Sequence, residues 1–178
     1  MDHREELKKI LIDRSILKGD FTLVSGRKSS YYINGKMTTL HSRGLYLAAR
    51  LLLELFADTG YDAFAGPVIG ADPIIGALLT LSASEGKHKE GLLIRKAGKD
   101  HGTRKLVEGN ITEGMRTVIV EDVVTTGGSL LKAAREVENE GGIIAGVGII
   151  VDREEGGHGN ITGAGYDFRS IFRVSELL

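Results

Sequence analysis

The chain has 178 residues, 42% of them hydrophobic and 26% charged, which suits one domain with a buried core. A formal net charge of −1 argues against bulk binding of nucleic acid or an anionic membrane, and no apolar run is long enough to span a bilayer. With no cysteine, disulfides, thiolate catalysis and cysteine zinc sites are excluded. The first residues, MDHREELKKILIDR, are charged from the second position and lack a secretory apolar core, so a cytoplasmic location is expected.

Asp2 to Leu17 has the pattern of an amphipathic helix, with Leu7, Ile10, Leu11 and Leu17 on one side and Gly19-Asp20 as its stop. Phe21–Leu23 and Tyr31–Ile33 are expected as short strands around the polar turn Ser25-Gly26-Arg27-Lys28. A leucine- and alanine-rich helix is predicted from about Ser42 to Ala57, then a strand over Tyr61–Ala65 that leads into Gly66-Pro67. Pro73 suits the start of a helix through Ile74, Ile75 and Leu78. Leu92–Ile94 is predicted as a strand, followed by a polar segment from Arg95 to about Glu108. Val118–Val120 and Ile143–Val151 have the β-branched pattern of buried strands, with a helix between them that Gly141-Gly142 caps. Strands alternating with helices imply a mostly parallel sheet with helices on both faces. Ligands of such sheets sit at the carboxyl ends of strands, where the Gly66 loop, Asp122 and Asp152-Arg153 all fall.

The most informative stretch is Val118 to Ser129, VIVEDVVTTGGS. A buried strand runs into two carboxylates, Glu121 and Asp122, then through Val123 and Val124 to Thr125, Thr126, Gly127, Gly128 and Ser129 before a helix begins. Glycines let backbone N–H groups approach a phosphate, and the helix N-terminus adds partial positive charge. The two carboxylates suit sugar hydroxyls or a hydrated Mg²⁺. The spacing fits neither a Walker A loop nor a G-x-G-x-x-G dinucleotide turn. A second stretch, Arg95-Lys96-Ala97-Gly98-Lys99-Asp100-His101-Gly102, reads either as a solvated charged loop or as one that closes over a polyanion. His101 has the right chemistry to move a proton near neutrality.

The apolar run, acid pair and T-T-G-G-S resemble the signature with which type I phosphoribosyltransferases bind phosphoribosyl pyrophosphate (PRPP). The R-K-x-x-K-x-H-G stretch resembles the mobile loop of the orotate phosphoribosyltransferases. Three further stretches agree with that family: Phe21 to Tyr32, Gly66 to Pro73 (GPVIGADP) and Val151-Asp152-Arg153. The resemblance implies the type I phosphoribosyltransferase fold, an α/β fold with a central, mostly parallel sheet flanked by helices. It would form one domain over residues 1–178, with about the first 40 residues and the C-terminal end as a small hood.

It also implies site roles. Glu121 and Asp122 would hold the ribose hydroxyls of PRPP, Thr125 to Ser129 would bind its 5′-phosphate, and Val123 and Val124 between them would complete the PRPP-binding stretch. Arg95, Lys96, Lys99 and His101 would grip the pyrophosphate, with Lys99, His101 and Asp122 as the catalytic set. Orotate would meet Arg153, Thr125, Tyr31, Tyr32 and Lys28. Mg²⁺ would be held mainly through PRPP, with Asp122 as a contact through water. The loop would reach into the neighbouring subunit of a homodimer. Val24 and Gly70 stand where some family members carry lysine, and Lys36 or Arg43 are the cations expected to compensate. A purine phosphoribosyltransferase, or a regulator that keeps only the PRPP fold, are the competing readings.

Overall fold

Asp2 sets the start of the first helix. In the computed structural model, which describes residues 2–22, 28–96 and 106–178, its carboxylate accepts the Arg4 N–H at 3.2 Å and caps α1 (His3–Ser15). Glu5 and Glu6 lie in the first turn, where negative charge suits the helix dipole. Strand β1 (Ile16–Thr22) follows without a break and pairs antiparallel with β2 (Lys28–Ile33). The helix therefore ends before Leu17, because Ile16 and Leu17 already pair with Ile33 and Tyr32. Gly19 and Asp20 do not stop the chain either. They form a bulge inside β1, between the pairs Lys18–Tyr31 and Phe21–Ser29.

The short α2 (Lys36–Thr39) leads to α3 (Ser42–Leu55), capped by His41 Nδ1, which accepts the Gly44 N–H. Then come β3 (Ala63–Pro67), α4 (Asp72–Ser84), β4 (Glu90–Ile94) and the two-residue β5 (Val107–Glu108). The second half adds β6 (Arg116–Val124), α5 (Gly128–Asn139), β7 (Ile143–Asp152), α6 (Gly157–Gly163) and β8 (Phe168–Arg173). A 3-10 turn, Val174–Glu176, follows.

The main sheet has the order β5-β4-β3-β6-β7-β8. All its pairings are parallel except that of β5. Side chains alternate across it. Phe64, Val118 and Val120 join Leu7, Leu11, Leu47, Leu52, Ile74 and Leu78 in one core, so α1, α3 and α4 cover that face. Ala63, Ala65 and Ile119 join Leu130, Ala134, Val137 and Ile161 in the other, under α5 and α6. Phe56, just past α3, lies flat on β7, where a Cβ at Gly146 or Gly148 would come within 2.6 Å of its ring. The chain ends meet: Arg4 pairs with Glu176 and its guanidinium lies 4.5 Å above the Phe172 ring.

This strand order positions the site. β3 continues through α4 to β4 on one side, and β6 continues through α5 to β7 on the other. The carboxyl ends of β3 and β6 thus diverge and open a crevice between them. No helix among the described residues is long and apolar enough to cross a membrane.

Candidate active site

Gly66 allows the crevice to form. A Cβ there would lie 2.4 Å from the Val120 carbonyl oxygen and 2.3 Å from the Ala71 Cβ, so only glycine lets β3 turn this tightly against β6. The following loop contains a cis peptide between Val68 and Ile69 and is tied down by the Val68 N–H, which donates to Ile94 O at 3.0 Å. A cleft of about 670 Å³ results, lined by Lys36, residues 67–70, Arg95, Lys96, Glu121, Asp122 and Ser129.

The two acids form its floor. Burial pushes the Glu121 carboxyl up to about 7, and the neighbouring Asp122 charge adds to this. The Ser129 hydroxyl, which donates to Glu121 Oε2 at 3.0 Å, acts in the opposite direction, as do Lys36 and Lys96. Asp122 is 7% exposed, and burial raises its carboxyl too, against Lys36 and the Val123 N–H that donates to Oδ1 at 2.9 Å. Two glycines close around this carboxylate. A Cβ at Gly35 would come within 2.6 Å of Oδ2, and one at Gly70 within 3.1 Å of Oδ1. Gly70, noted in the sequence as standing in a lysine position, thus lies close enough to Asp122 that a side chain there would crowd its carboxylate by a few tenths of an ångström.

Thr125 to Ser129 connect β6 to α5, with Gly127 as the helix N-cap at φ 81°, a left-handed conformation that favours glycine. The first-turn N–H groups of α5 have no intrahelical acceptors and are available to an anion. Two buttresses were not expected from sequence. The Asn160 side-chain amide donates to Thr126 O at 2.9 Å, and a Cβ at Gly157 would lie 2.9 Å from Thr125 O. Both come from α6, whose sequence GHGNITG carries no helical periodicity to find it by.

Arg95 and Lys96 leave β4 at the cleft edge. Arg95 Nη1 lies 3.2 Å from Glu108 Oε1, and Lys132 Nζ donates to Lys96 O at 3.1 Å. Lys99 and His101, expected in the same loop, fall outside the described residues, as does Val24.

Arg153 follows β7, and its N–H donates to Val124 O at 3.0 Å, placing it beside the cradle. Its side chain is 7% exposed and stacks 5.4 Å from the Tyr31 ring centroid. Its Nη2 is 2.7 Å from Glu155 Oε1 but out of line for a hydrogen bond, and Nε has no hydrogen-bond partner among the described residues. Of the other residues expected around orotate, Tyr31 is brought to Arg153, while Tyr32 and Lys28 are not. Tyr32 packs against Phe21 with ring centroids 5.8 Å apart and is 41% exposed. Successive strand residues point to opposite faces, so Tyr32 and Lys28 share the face away from Tyr31. Of the two compensating cations, Lys36 lines the cleft, whereas Arg43 forms a two-pronged pair with Glu6 at 2.8 and 2.7 Å.

A strand-end cleft with an acid floor and an anion cradle holds a sugar phosphate by both ends, the design of a phosphoribosyl-transferring domain. The sequence model described as "Phosphoribosyl transferase domain" matches residues 39–159. The orotate phosphoribosyltransferase of Thermosynechococcus vestitus is 43% identical over 177 residues, covering 99% of this chain and 93% of its own. The crystal structure of Mycobacterium tuberculosis H37Rv orotate phosphoribosyltransferase with Fe(III) dicitrate matches with a TM-score of 0.88 at 36% identity, over 99% of both chains. The same enzyme in complex with PRPP matches at 0.84 and 34%, again over 99% of each. The chain belongs to the phosphoribosyltransferase family and, within it, to the orotate phosphoribosyltransferases.

Proposed function

We propose that this chain transfers the 5-phosphoribosyl group of PRPP to orotate, giving orotidine 5′-monophosphate and pyrophosphate in the synthesis of UMP. The observation that carries this reading is the placement of a buried guanidinium, Arg153 under Tyr31, beside a phosphate cradle and an acid pair. A planar fork with a donor lacking a partner suits the orotate carboxylate, and the tyrosine ring suits the flat base.

The ring nitrogen of orotate gives up its proton and bonds to the anomeric carbon as the bond to pyrophosphate breaks, and the departing pyrophosphate takes up the proton. Positive charge builds on the ribose, and Glu121 and Asp122 hold its hydroxyls and stabilise that charge. The N–H groups and hydroxyls of Thr125 to Ser129 hold the 5′-phosphate, while Arg95, Lys96, Lys99 and His101 grip the leaving group. The donor set also fits Mg²⁺ carried on the substrate. Two adjacent carboxylates face the cleft, and among the described residues no group of three or more His, Cys, Asp or Glu makes a protein cage. Such a site suits an ion that keeps several waters. Mg²⁺ supplies charge neutralisation of the pyrophosphate when bound.

The enzyme acts as a cytoplasmic homodimer in which the 95–102 loop closes over the partner's cleft, and the ribbon β1–β2 acts as part of a hood over the orotate side. Exposed Ile69 on the cleft loop, with Met37 on α2 and Leu40 just after it, support a partner at this rim. An absorbance assay of orotate consumption tests the activity, with PRPP and Mg²⁺ present and adenine, hypoxanthine, xanthine and uracil as parallel acceptors. Turnover of orotate alone is expected. Turnover of a purine, with orotate inert, would overturn the reading.

A further inference from the structure

Most basic side chains of the surface clefts are matched by neighbouring acids. Arg50 and Lys87 meet Glu85, Arg169 meets Asp58 and Asp167, and Arg4 meets Glu176. Lys36 differs. It lines the main cleft, its side chain is half exposed, and its ion pair there is a loose one, with Nζ 4.0 Å from Asp122 Oδ2. That distance is too long for a hydrogen bond, so the carboxylate tethers the ammonium without using up its three donors.

The approach of Lys36 is built into the backbone. It begins α2 directly after Gly35, the residue where any Cβ would strike the Asp122 carboxylate. Only glycine there lets α2 come down onto the cleft floor, and that descent places Lys36 over the acids. The other described cations of the cleft, Arg95 and Lys96, arrive from β4, a separate part of the fold. A leaving diphosphate gathers negative charge, and cations fixed around it from separate segments stabilise that charge without rearranging.

We propose that Lys36 contacts the diphosphate of the phosphoribosyl donor and, with Arg95 and Lys96, brackets the leaving group. The proposal rests on the phosphoribosyl-transfer reading above. Its test compares the wild type, Lys36→Met and Lys36→Arg by calorimetric binding of three probes: PRPP, pyrophosphate and ribose 5-phosphate, all with Mg²⁺. The methionine variant is expected to bind PRPP and pyrophosphate about tenfold more weakly, the effect of losing one charge-assisted contact. Ribose 5-phosphate, which lacks the diphosphate, is expected to bind all three proteins alike, and arginine should restore most of the lost affinity. In steady state the loss should appear in KM for PRPP and in kcat, with KM for orotate little changed. Unchanged pyrophosphate affinity would overturn the proposal. So would an equal loss for ribose 5-phosphate, which would mean that Lys36 only supports Asp122. A wild type that binds neither PRPP nor pyrophosphate would sink the phosphoribosyl-transfer reading itself.

Discussion

A single carboxylate shows how far the site departs from a stability optimum. Glu121 lies beside a second acid in a place poor in water, and burial pushes it up to about 7 from an ordinary 4.5. Between those values the folded chain holds a proton that the unfolded chain has released. Stability therefore falls as pH rises through that window, and the full loss is present above it. Glu121→Gln should raise the unfolding free energy of the ligand-free protein at pH 8 by on the order of 1–2 kcal/mol after allowing for solvent screening, seen as a higher melting temperature, and do little at pH 4.5. The same change should weaken PRPP binding. Scanning calorimetry at the two pH values checks this, and equal shifts at both would refute it. Arg153 sits at the other end of the site. Arg153→Ala should raise KM for orotate about tenfold or more and leave PRPP affinity nearly intact, and lysine should rescue poorly because it lacks the planar fork. These side chains were legible in the sequence because their chemistry is demanding and their neighbours in the chain share it. The closeness of Gly35 and Gly70 to Asp122 was not, since it depends on segments that meet only in the fold.

Among the elements, those with one strong internal pattern were read correctly, and those made by their surroundings were missed. β6 and β7 announce themselves as β-branched runs, and α3 and α5 carry clear apolar stripes. In β8, FRSIFR, arginines interrupt the apolar pattern of a strand that, among the described residues, pairs only with β7. α6 is made of glycines and poor helix formers, and it holds because Ile161 packs fully buried in the core it shares with α5, against Gly127. The end of α1 was misplaced because Ile16 and Leu17 continue its apolar spacing, yet their ribbon partners claim them. Two substitutions test this element-level packing. Leu11→Ala in α1 should lower unfolding free energy by about 2–5 kcal/mol, the range for emptying a fully buried leucine site. Gly66→Ala should cost about 1–3 kcal/mol, because its Cβ meets backbone that cannot step aside, and should also reduce activity by parting β3 from β6. Urea titrations followed by circular dichroism measure both.

At the scale of the molecule, the proposed sharing of the 95–102 loop between the subunits of a dimer has an arithmetic consequence. On that proposal Lys99→Ala would disable the loop a subunit lends, and Arg153→Ala the cleft it keeps. Each variant alone should be nearly inactive in turnover. Mixed and allowed to exchange, half of the dimers are hybrids, and each hybrid keeps one intact site, so activity should return to about a quarter of the wild-type value. No recovery, with exchange verified by mass, would place the loop over its own subunit's cleft. The divergence of β3 and β6 has a consequence of another kind, one of timing. Lys36 and residues 67–70 supply one lip of the cleft and Glu121, Asp122 and Ser129 the other, so the cleft is complete only when these distant segments have docked. Pairing such distant segments is slow, because a long loop must close before any contact rewards it. On dilution from urea, helical signal should therefore return ahead of PRPP affinity, and the enzyme's own substrate becomes a clock for the last event of its assembly.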